Sequence, residues 1–433
     1  MVDEIPLSEI ADVLGGFAFK SEHFATAGFP IVKIANIEPP HVNLSDCDRI
    51  PEDKVRGLDR FALNDRDIVM AMTGATIGKV GRVRTTAPAY LNQRVAKITA
   101  KAGRKFDDFV WAIVSQRGFD EEVLNNAGGS AQANVSTDGI GRIRIPNFSP
   151  EDQCAVGKVI SALDDKIELN RRMNRTLEEL AAALFRSWFV DFDPVVAKAA
   201  GRQPAHLRPA LAALFPAHWQ DSPLGPIPHG WRVANIGDVA KVVGGSTPST
   251  NEPKFWNGNI AWATPRDLSA LTDPVLISTE RQITPAGLDK ISSGLLPKGT
   301  VLLSSRAPIG YTAIADLPVA VNQGFIALIC DGPLPNYYVI EWVRENMDTI
   351  EGNANGTTFM EISKKNFRPI PAVVPPPPVV EKFVEIVSSW WSQIIHNVRE
   401  SRTLSALRDT LLPKLLSGEL RVKQAEKLVE ARL

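Results

Sequence analysis

Apolar side chains recur at alternating four- and three-residue steps in two stretches of this 433-residue chain. From Val156 the steps land on Ile160, Leu163, Ile167, Asn170, Asn174, Leu177, Ala181, Leu184 and Trp188. From Phe383 they land on Val387, Trp390, Ile394, Asn397, Ser401, Leu404, Arg408, Leu411 and Leu415. A mean step of about 3.5 is the seam of a coiled coil, in which a helix buries the same narrow stripe turn after turn. The ladders match rung for rung at one constant offset, from Val156 and Phe383 to Leu184 and Leu411. Both are apolar at their ends and polar in the middle, at Asn170/Asn174 and Asn397/Ser401. If the helices run antiparallel, the polar middles coincide and apolar ends meet apolar ends. Polar seam residues fix register at some cost in stability, so these four are expected to pair across the seam; the alternative is a water-filled waist that faces a partner.

The flanking residues set the helix ends. Ser149-Pro150-Glu151-Asp152 offers a Ser N-cap, a proline in the first turn and acids at the positive end of the helix dipole. The first helix is expected over 149–190, roughly 40 residues or ~60 Å. Pro375–Pro378 launches the second, over 377–419, with Gly418 as a C′-type stop. Elsewhere the apolar runs are short and broken by Gly, Pro, Asn and Asp, at 29–37, 67–74, 77–83, 93–98 and 141–146. These read as strands and turns, whereas 106–128 has helical spacing, so the chain is α+β. Six prolines punctuate 202–231 and preclude a long regular element there. The predicted domains are therefore 1–148, a rod helix at 149–190, a Pro-rich connector at 191–231, a second domain at 232–376, a rod helix at 377–419 and a tail at 420–433.

The second domain replays the first. Ile10-Ala11-Asp12-Val13 recurs as Ile236-Gly237-Asp238-Val239, and Leu91-Asn92-Gln93 as Val321-Asn322-Gln323. Asp67-Ile68-Val69-Met70 leading to Ala75-Thr76-Ile77-Gly78 recurs as Thr300-Val301-Leu302-Leu303 leading to Ala307-Pro308-Ile309-Gly310. Gly129-Ser130 with Val135-Ser136 recurs as Gly356-Thr357 with Ile362-Ser363. Between these landmarks the copies diverge, as recognition surfaces tuned to different targets would.

Composition narrows the function. Lys plus Arg is 48 against 49 acids, a net charge of −1, which argues against a DNA-binding protein acting alone but not against one whose partners supply phosphate contacts. Cys47, Cys154 and Cys330 form neither a CxxC nor a Cys/His cluster, so no zinc site and no disulfide framework is expected. The N-terminal MVDEIPLSEI lacks the make-up of a signal peptide and no long apolar run spans a membrane, so a cytoplasmic location is expected. GxxxxGK[ST], HExxH and GxSxG are absent, and the glycine pairs at 15–16 and 244–245 are not GxGxxG. No catalytic residue is assigned.

Taken in order and doubled, these landmarks resemble the specificity subunit of type I restriction–modification systems. The segments at 162–195 and 411–422 carry the same likeness, which spans about residues 5–422. The resemblance implies two similar α/β target recognition domains separated by two long antiparallel coiled-coil helices, an internal pseudo-two-fold repeat. It implies a non-catalytic subunit that reads a bipartite duplex DNA target and docks two methyltransferase subunits, with restriction motor-nuclease subunits as further partners. S-adenosylmethionine, ATP and Mg²⁺ would then belong to those partners and not to this chain. Two departures stand out: Arg66 occupies the place where a glycine commonly precedes the aspartate, and Ser304-Ser305-Arg306-Ala307-Pro308 replaces the TGATI run. Two competing readings are a self-contained DNA methyltransferase, against which the missing DPPY-type loop speaks, and a coiled-coil scaffold that binds no DNA.

Base edges in a major groove are read by Arg, Lys, Asn, Gln, Ser or Thr. Candidates in the first domain are Lys20, Thr73, Lys79, Arg82, Arg94 and Gln132; in the second, Thr247, Lys254, Trp256, Arg266, Ser305, Arg306 and Thr358. Lys364, Lys365 and Arg368 suit phosphate positioning. For each, a solvated charge or a turn hydrogen bond is the plainer alternative. Asn92-Gln93 and Asn322-Gln323, being repeated, suit a shared structural task. Trp188, Phe189, Phe192 and Trp391 are aromatic candidates for partner docking, with packing against the chain's own domains as the alternative and Trp391, off the seam, the better docking candidate.

Overall fold

The computed structural model describes residues 3–128, 133–356 and 360–432. It divides into two units, Met1–Ile167 with Arg402–Leu433, and Glu168–Ser401. Two helices of 40 residues each, Pro150–Phe189 and Pro377–Leu416, contribute to both. Ser149 caps the first as its spacing predicts: its Oγ accepts from the Asp152 amide at 3.2 Å. Gly418, at φ +76°, follows the second.

In the first unit a six-stranded sheet runs in the order Ala11–Gly15, Val95–Ala100, Ile68–Ala71, Val80–Arg82, His41–Val42, Ile37–Glu38. A second sheet runs Asp48–Ile50, Phe29–Val32, Ala89–Leu91, Ala62–Leu63, and Glu4–Pro6 pairs with Arg144–Pro146. The helical stretch at 106–128 is two helices, Asp107–Val114 and Phe119–Asn125, because Gly118 at φ +86° interrupts it.

The second unit has the same plan. Its larger sheet runs Lys241–Val243, Phe325–Ile329, Val301–Ser305, Ile309–Ala315, Val275–Leu276; its smaller one runs Arg281–Ile283, Trp256–Ala263, Ala320–Val321. Arg232–Asn235 pairs with Pro371–Val374. Even the parallel pairs recur, Phe29–Val32 with Ala89–Leu91 and Trp256–Ala263 with Ala320–Val321. The Pro-rich connector forms only short elements, Asp193–Ala199, Pro209–Ala212 and two two-residue strands. It is no loose linker: Phe215 and Trp231 are buried in the core with Trp188 and Phe189.

The substitution of Arg66 for glycine keeps the turn. Arg66 and Gly299 both precede the homologous strand by two residues and both have positive φ, +69° and +91°. Their amides make the same bond, to Val83 O at 2.8 Å and to Ala315 O at 2.7 Å. A non-glycine residue there costs on the order of 1 kcal/mol. The side chain offsets it by gripping two helices: Arg66 donates to both Asp165 carboxylate oxygens at 2.9 and 2.8 Å and to Ser161 at 2.5 Å on the first long helix, and to Asp108 of Asp107–Val114 at 2.8 Å. Burial pushes the Asp165 carboxyl up, but hydrogen bonds from Arg66 and Arg84 outweigh it and hold the group below its ordinary value.

The seam is filled within each unit. In the first, Val156, Ile160, Leu163 and Ile167 share a core with Leu404, Leu411 and Leu415. In the second, Ala181 and Trp188 share one with Phe383, Val387 and Ile394. The polar rungs of the second unit meet: Asn397 Nδ2 donates to Asn174 Oδ1 at 2.8 Å, and Asn170 Nδ2 to Ser401 Oγ at 3.2 Å and Glu400 Oε2 at 2.7 Å. Pairing 170 with 401 and 174 with 397 fixes an antiparallel sense in this unit, and the duplication exchanges one pair for the other. All three asparagines are buried, so the amide donors of Asn170 and Asn397 find these acceptors only in the correct register. Replacing Asn170 and Asn397 together by Leu should raise helix-pair stability and loosen register; unchanged assembly and unchanged target spacing in that variant would contradict a register role.

Asn174 also donates to Asp273 at 3.0 Å. Nearby, Glu178 faces Arg344 at 3.3 Å. Burial, against the pull of Arg344 and helped by Asp273, pushes the Glu178 carboxyl from 4.5 up to about 7. A carboxyl raised on folding stabilises fully below its unfolded pKa and loses that contribution as pH rises toward its folded one. The second unit should therefore weaken between about pH 4.5 and pH 7, by at most a few kcal/mol. Glu178→Gln should flatten that limb in urea titrations; an unchanged slope would contradict the assignment.

Candidate nucleic-acid interface

In each unit the larger and smaller sheets meet at a junction built from the duplicated landmarks. A glycine pair comes first. A Cβ on Gly16 would lie 2.0 Å from the Asn92 carbonyl oxygen, and one on Gly245 would lie 1.6 Å from that of Val321. Only glycine lets these backbones approach so closely. The Asn-Gln dipeptides then tie the turn that follows: Asn92 Oδ1 accepts from the Gln93 amide at 2.7 Å, and Asn322 Oδ1 from the Gly324 amide at 2.8 Å. Their repetition thus reflects backbone bonding.

A β-hairpin tip completes the frame with the same two hydrogen bonds in both units. The Met72 amide donates to Arg94 O at 2.9 Å and the Val135 amide to Met72 O at 3.0 Å. In the second unit the Ser305 amide donates to Gly324 O at 2.8 Å and the Ile362 amide to Ser305 O at 3.0 Å. Thr73 and Arg306, each next along, are therefore equivalent, as are Arg94 and Gly324. The backbone is shared and the side chains on it are not.

Several sequence candidates gather on this frame. Thr73 bridges to Asn134, and Arg94 is exposed at φ +69°, a conformation disfavoured for arginine. Lys79 is exposed directly after the hairpin turn. Thr247 is exposed and donates to Gln323 Oε1 at 2.7 Å. Arg306 pairs with Glu361 at 3.7 Å. Lys364 reaches Gly244, whose Cβ would meet its Nζ at 2.9 Å, and Lys365 beside it is exposed. Arg368 instead donates to the Val242 carbonyl at 2.8 Å. Lys20, Lys254 and Arg266 are exposed but engaged with Glu22, Glu252 and Glu280 at 3.6, 3.3 and 3.5 Å. Gln132 and Thr358 lie outside the described residues.

Three candidates are corrected by burial. Arg82 is 3% exposed, bonded to Asp108 at 2.8 Å and placed over the Trp111 ring at 5.0 Å, so it braces the domain against its helix. Ser305 is sealed within the strand Val301–Ser305. Trp256 is 8% exposed and gives its indole N–H to Ser249 O at 3.0 Å. The docking aromatics are corrected likewise. Trp188, Phe189 and Trp391 are buried in the second unit's core, where Trp391 stacks on Tyr337 at 5.6 Å. Phe192, half-buried, packs on Trp219 and Trp231. Spacing along a helix marked Trp391 as off the seam, but a neighbouring helix, Asn336–Glu345, covers that side.

No group of His, Cys, Asp and Glu that could hold a metal ion occurs among the described residues, and none of their helices is long and apolar enough to cross a membrane.

Comparison with known proteins agrees with this duplicated plan. The "Type I restriction modification DNA specificity domain" matches residues 2–179 and again 228–401. The chain is 34% identical over 188 residues to the type I restriction enzyme MjaIX specificity subunit of Methanocaldococcus jannaschii, which covers 43% of each chain. It is 25% identical over 327 residues to the HindI specificity subunit of Haemophilus influenzae, covering 66% of this chain and 71% of that one. The match to the first of these spans less than half of that relative's length. In fold, the crystal structure of the S subunit of a type I restriction–modification system from M. genitalium superposes with a TM-score of 0.57 at 15% identity, over 96% of both chains. With its family domain present twice and covering most of its length, the chain belongs to the type I restriction–modification DNA specificity family.

Proposed function

We propose that this chain selects a bipartite duplex DNA sequence for a type I methyltransferase, each unit reading one half. One observation carries this reading: the two junctions share their glycine pair, an asparagine that accepts a turn amide and their hairpin hydrogen bonds, yet carry different residues at the equivalent positions, half-buried Thr73 against half-buried Arg306 and exposed Arg94 against buried Gly324. A fixed frame with exchangeable tips is what two readers of two different half-sites require. The net charge of −1 gives the chain little general attraction to phosphate, which supports a subunit that shares DNA with partners.

Because the sequence is duplicated around the seam, two copies of one partner would find equivalent seats, and we assign these to two methyltransferase subunits. Motor-nuclease subunits would add restriction. S-adenosylmethionine, ATP and Mg²⁺ would be held by those partners, and the assembly would act in the cytoplasm. Loss of the gene should abolish methylation at one split motif, as the Discussion sets out.

A further inference from the structure

On the smaller sheet of the second unit, the Arg281 guanidinium carbon lies over the Trp256 ring, 3.6 Å from its centroid, and 5.4 Å from that of Trp262. The two indoles form an edge-on pair with centroids 5.0 Å apart. Both are fixed by their N–H groups, Trp256 to Ser249 O at 3.0 Å and Trp262 to Ser246 O at 3.2 Å. Those acceptors belong to the loop that follows Gly244-Gly245 and carries Thr247, so the platform is part of the junction. Arg281 itself is exposed.

Its neighbours have spent their charge: Lys254 faces Glu252 and Arg266 faces Glu280. Among the described residues the Arg281 guanidinium makes no ion pair and no side-chain hydrogen bond. The cation–π contact holds the exposed guanidinium in place, and a preplaced planar fork is what bidentate recognition needs. A phosphate contact would need only charge. The first unit supports a specific role by contrast. Arg281 pairs in register with Trp262, and the equivalent pair there is Asp48 with Ile31. Asp48 is bound to Lys33. The position is structurally equivalent in the two units and reversed in charge, Asp48 against Arg281.

We propose that Arg281, on its Trp256–Trp262 platform, reads a guanine in the half-site of the second unit through that base's N7 and O6 acceptors. This rests on the reading of the second unit as a DNA-reading domain. The test is to map the methylated motif for the full-length chain co-expressed with its methyltransferase, as wild type, Arg281→Lys and Arg281→Ala. Lysine keeps the charge and loses the fork. Both variants should lose discrimination at one guanine of one half-site, by about 10- to 100-fold, and leave the other half-site unchanged. Tryptophan fluorescence of the purified chains, with an unchanged unfolding midpoint, separates loss of reading from loss of fold.

A wild-type motif whose guanines all survive Arg281→Lys, a second half-site without guanine, or a uniform weakening across all sequences that lysine restores would each overturn the assignment of Arg281. A wild-type chain that directs no split motif would instead overturn the DNA-reading function beneath it.

Discussion

Gly245→Ala should destabilise the second unit by about 3 kcal/mol or more and erase recognition of one half-site only. The added methyl would sit 1.6 Å from the Val321 carbonyl oxygen and 2.4 Å from its carbon, which are backbone atoms that no rotamer change can move. Overpacking of even flexible surroundings costs about 1–3 kcal/mol, and this contact is stiffer. The loop after Gly245 would have to lift, breaking the Ser246 amide bond to Val321 O at 3.1 Å and the indole bond from Trp262 to Ser246 O. Gly16→Ala should do the same in the first unit, where the contact is 2.0 Å to the Asn92 carbonyl oxygen. Hydrogen exchange should rise around 241–249 and 320–325 in the one variant and around 11–17 and 89–95 in the other. Unchanged protection in both would mean that the close approach does not hold the junction together.

Arg408→Met should loosen the first unit by about 2–4 kcal/mol. Arg408 is the one charged rung of the two ladders, and it donates to Asp164 on the opposing helix at 2.8 Å and to Asp409 at 2.8 Å. Asp164 is 12% exposed at its side chain and also accepts from Trp111 Nε1 at 2.7 Å. Burial alone would lower the Arg408 guanidinium, yet the Asp164 and Asp409 carboxylates raise it above its ordinary value. Methionine would fill the same groove but strand the Asp164 charge with an indole as its remaining partner. Neutralising that charge should recover much of the loss, so Asp164→Asn in the Arg408→Met background should be more stable than Arg408→Met alone. A single variant within 0.5 kcal/mol of wild type in urea unfolding, or a double variant that adds the two losses, would contradict the account.

The helices were legible because their signal is periodic and local. The ladder positions from Val156 to Ile167 and from Phe383 to Ile394 are buried apart from a half-buried Trp390, and the asparagines meet the partners that the matched offset suggests. The duplication was legible because glycine pairs and Asn-Gln turns are demanded by backbone geometry and so persist while surfaces drift. Trp391 and Arg82 depart from their expected roles for one reason. Helix spacing shows which way a residue faces relative to its own seam, but not that Asn336–Glu345 lies against Trp391 or that Asp108 waits beneath Arg82. Arg281 was missed because its significance lies in Trp256 and Trp262 on another strand, brought beneath it by sheet register. Arg66 shows the reverse: where the sequence departs from the usual glycine the turn is kept, with the strain offset by three acceptor side chains.

The proposed role of this chain is to choose, through two divergent readers built on the same frame, the DNA sequence that a partner methylates. Genome-wide mapping of methylated adenines with and without its gene tests this most directly. One split motif, two short specified halves around an unspecified gap, should lose methylation on deletion and regain it when the gene is restored. If every methylated motif survives the deletion, the claim is wrong.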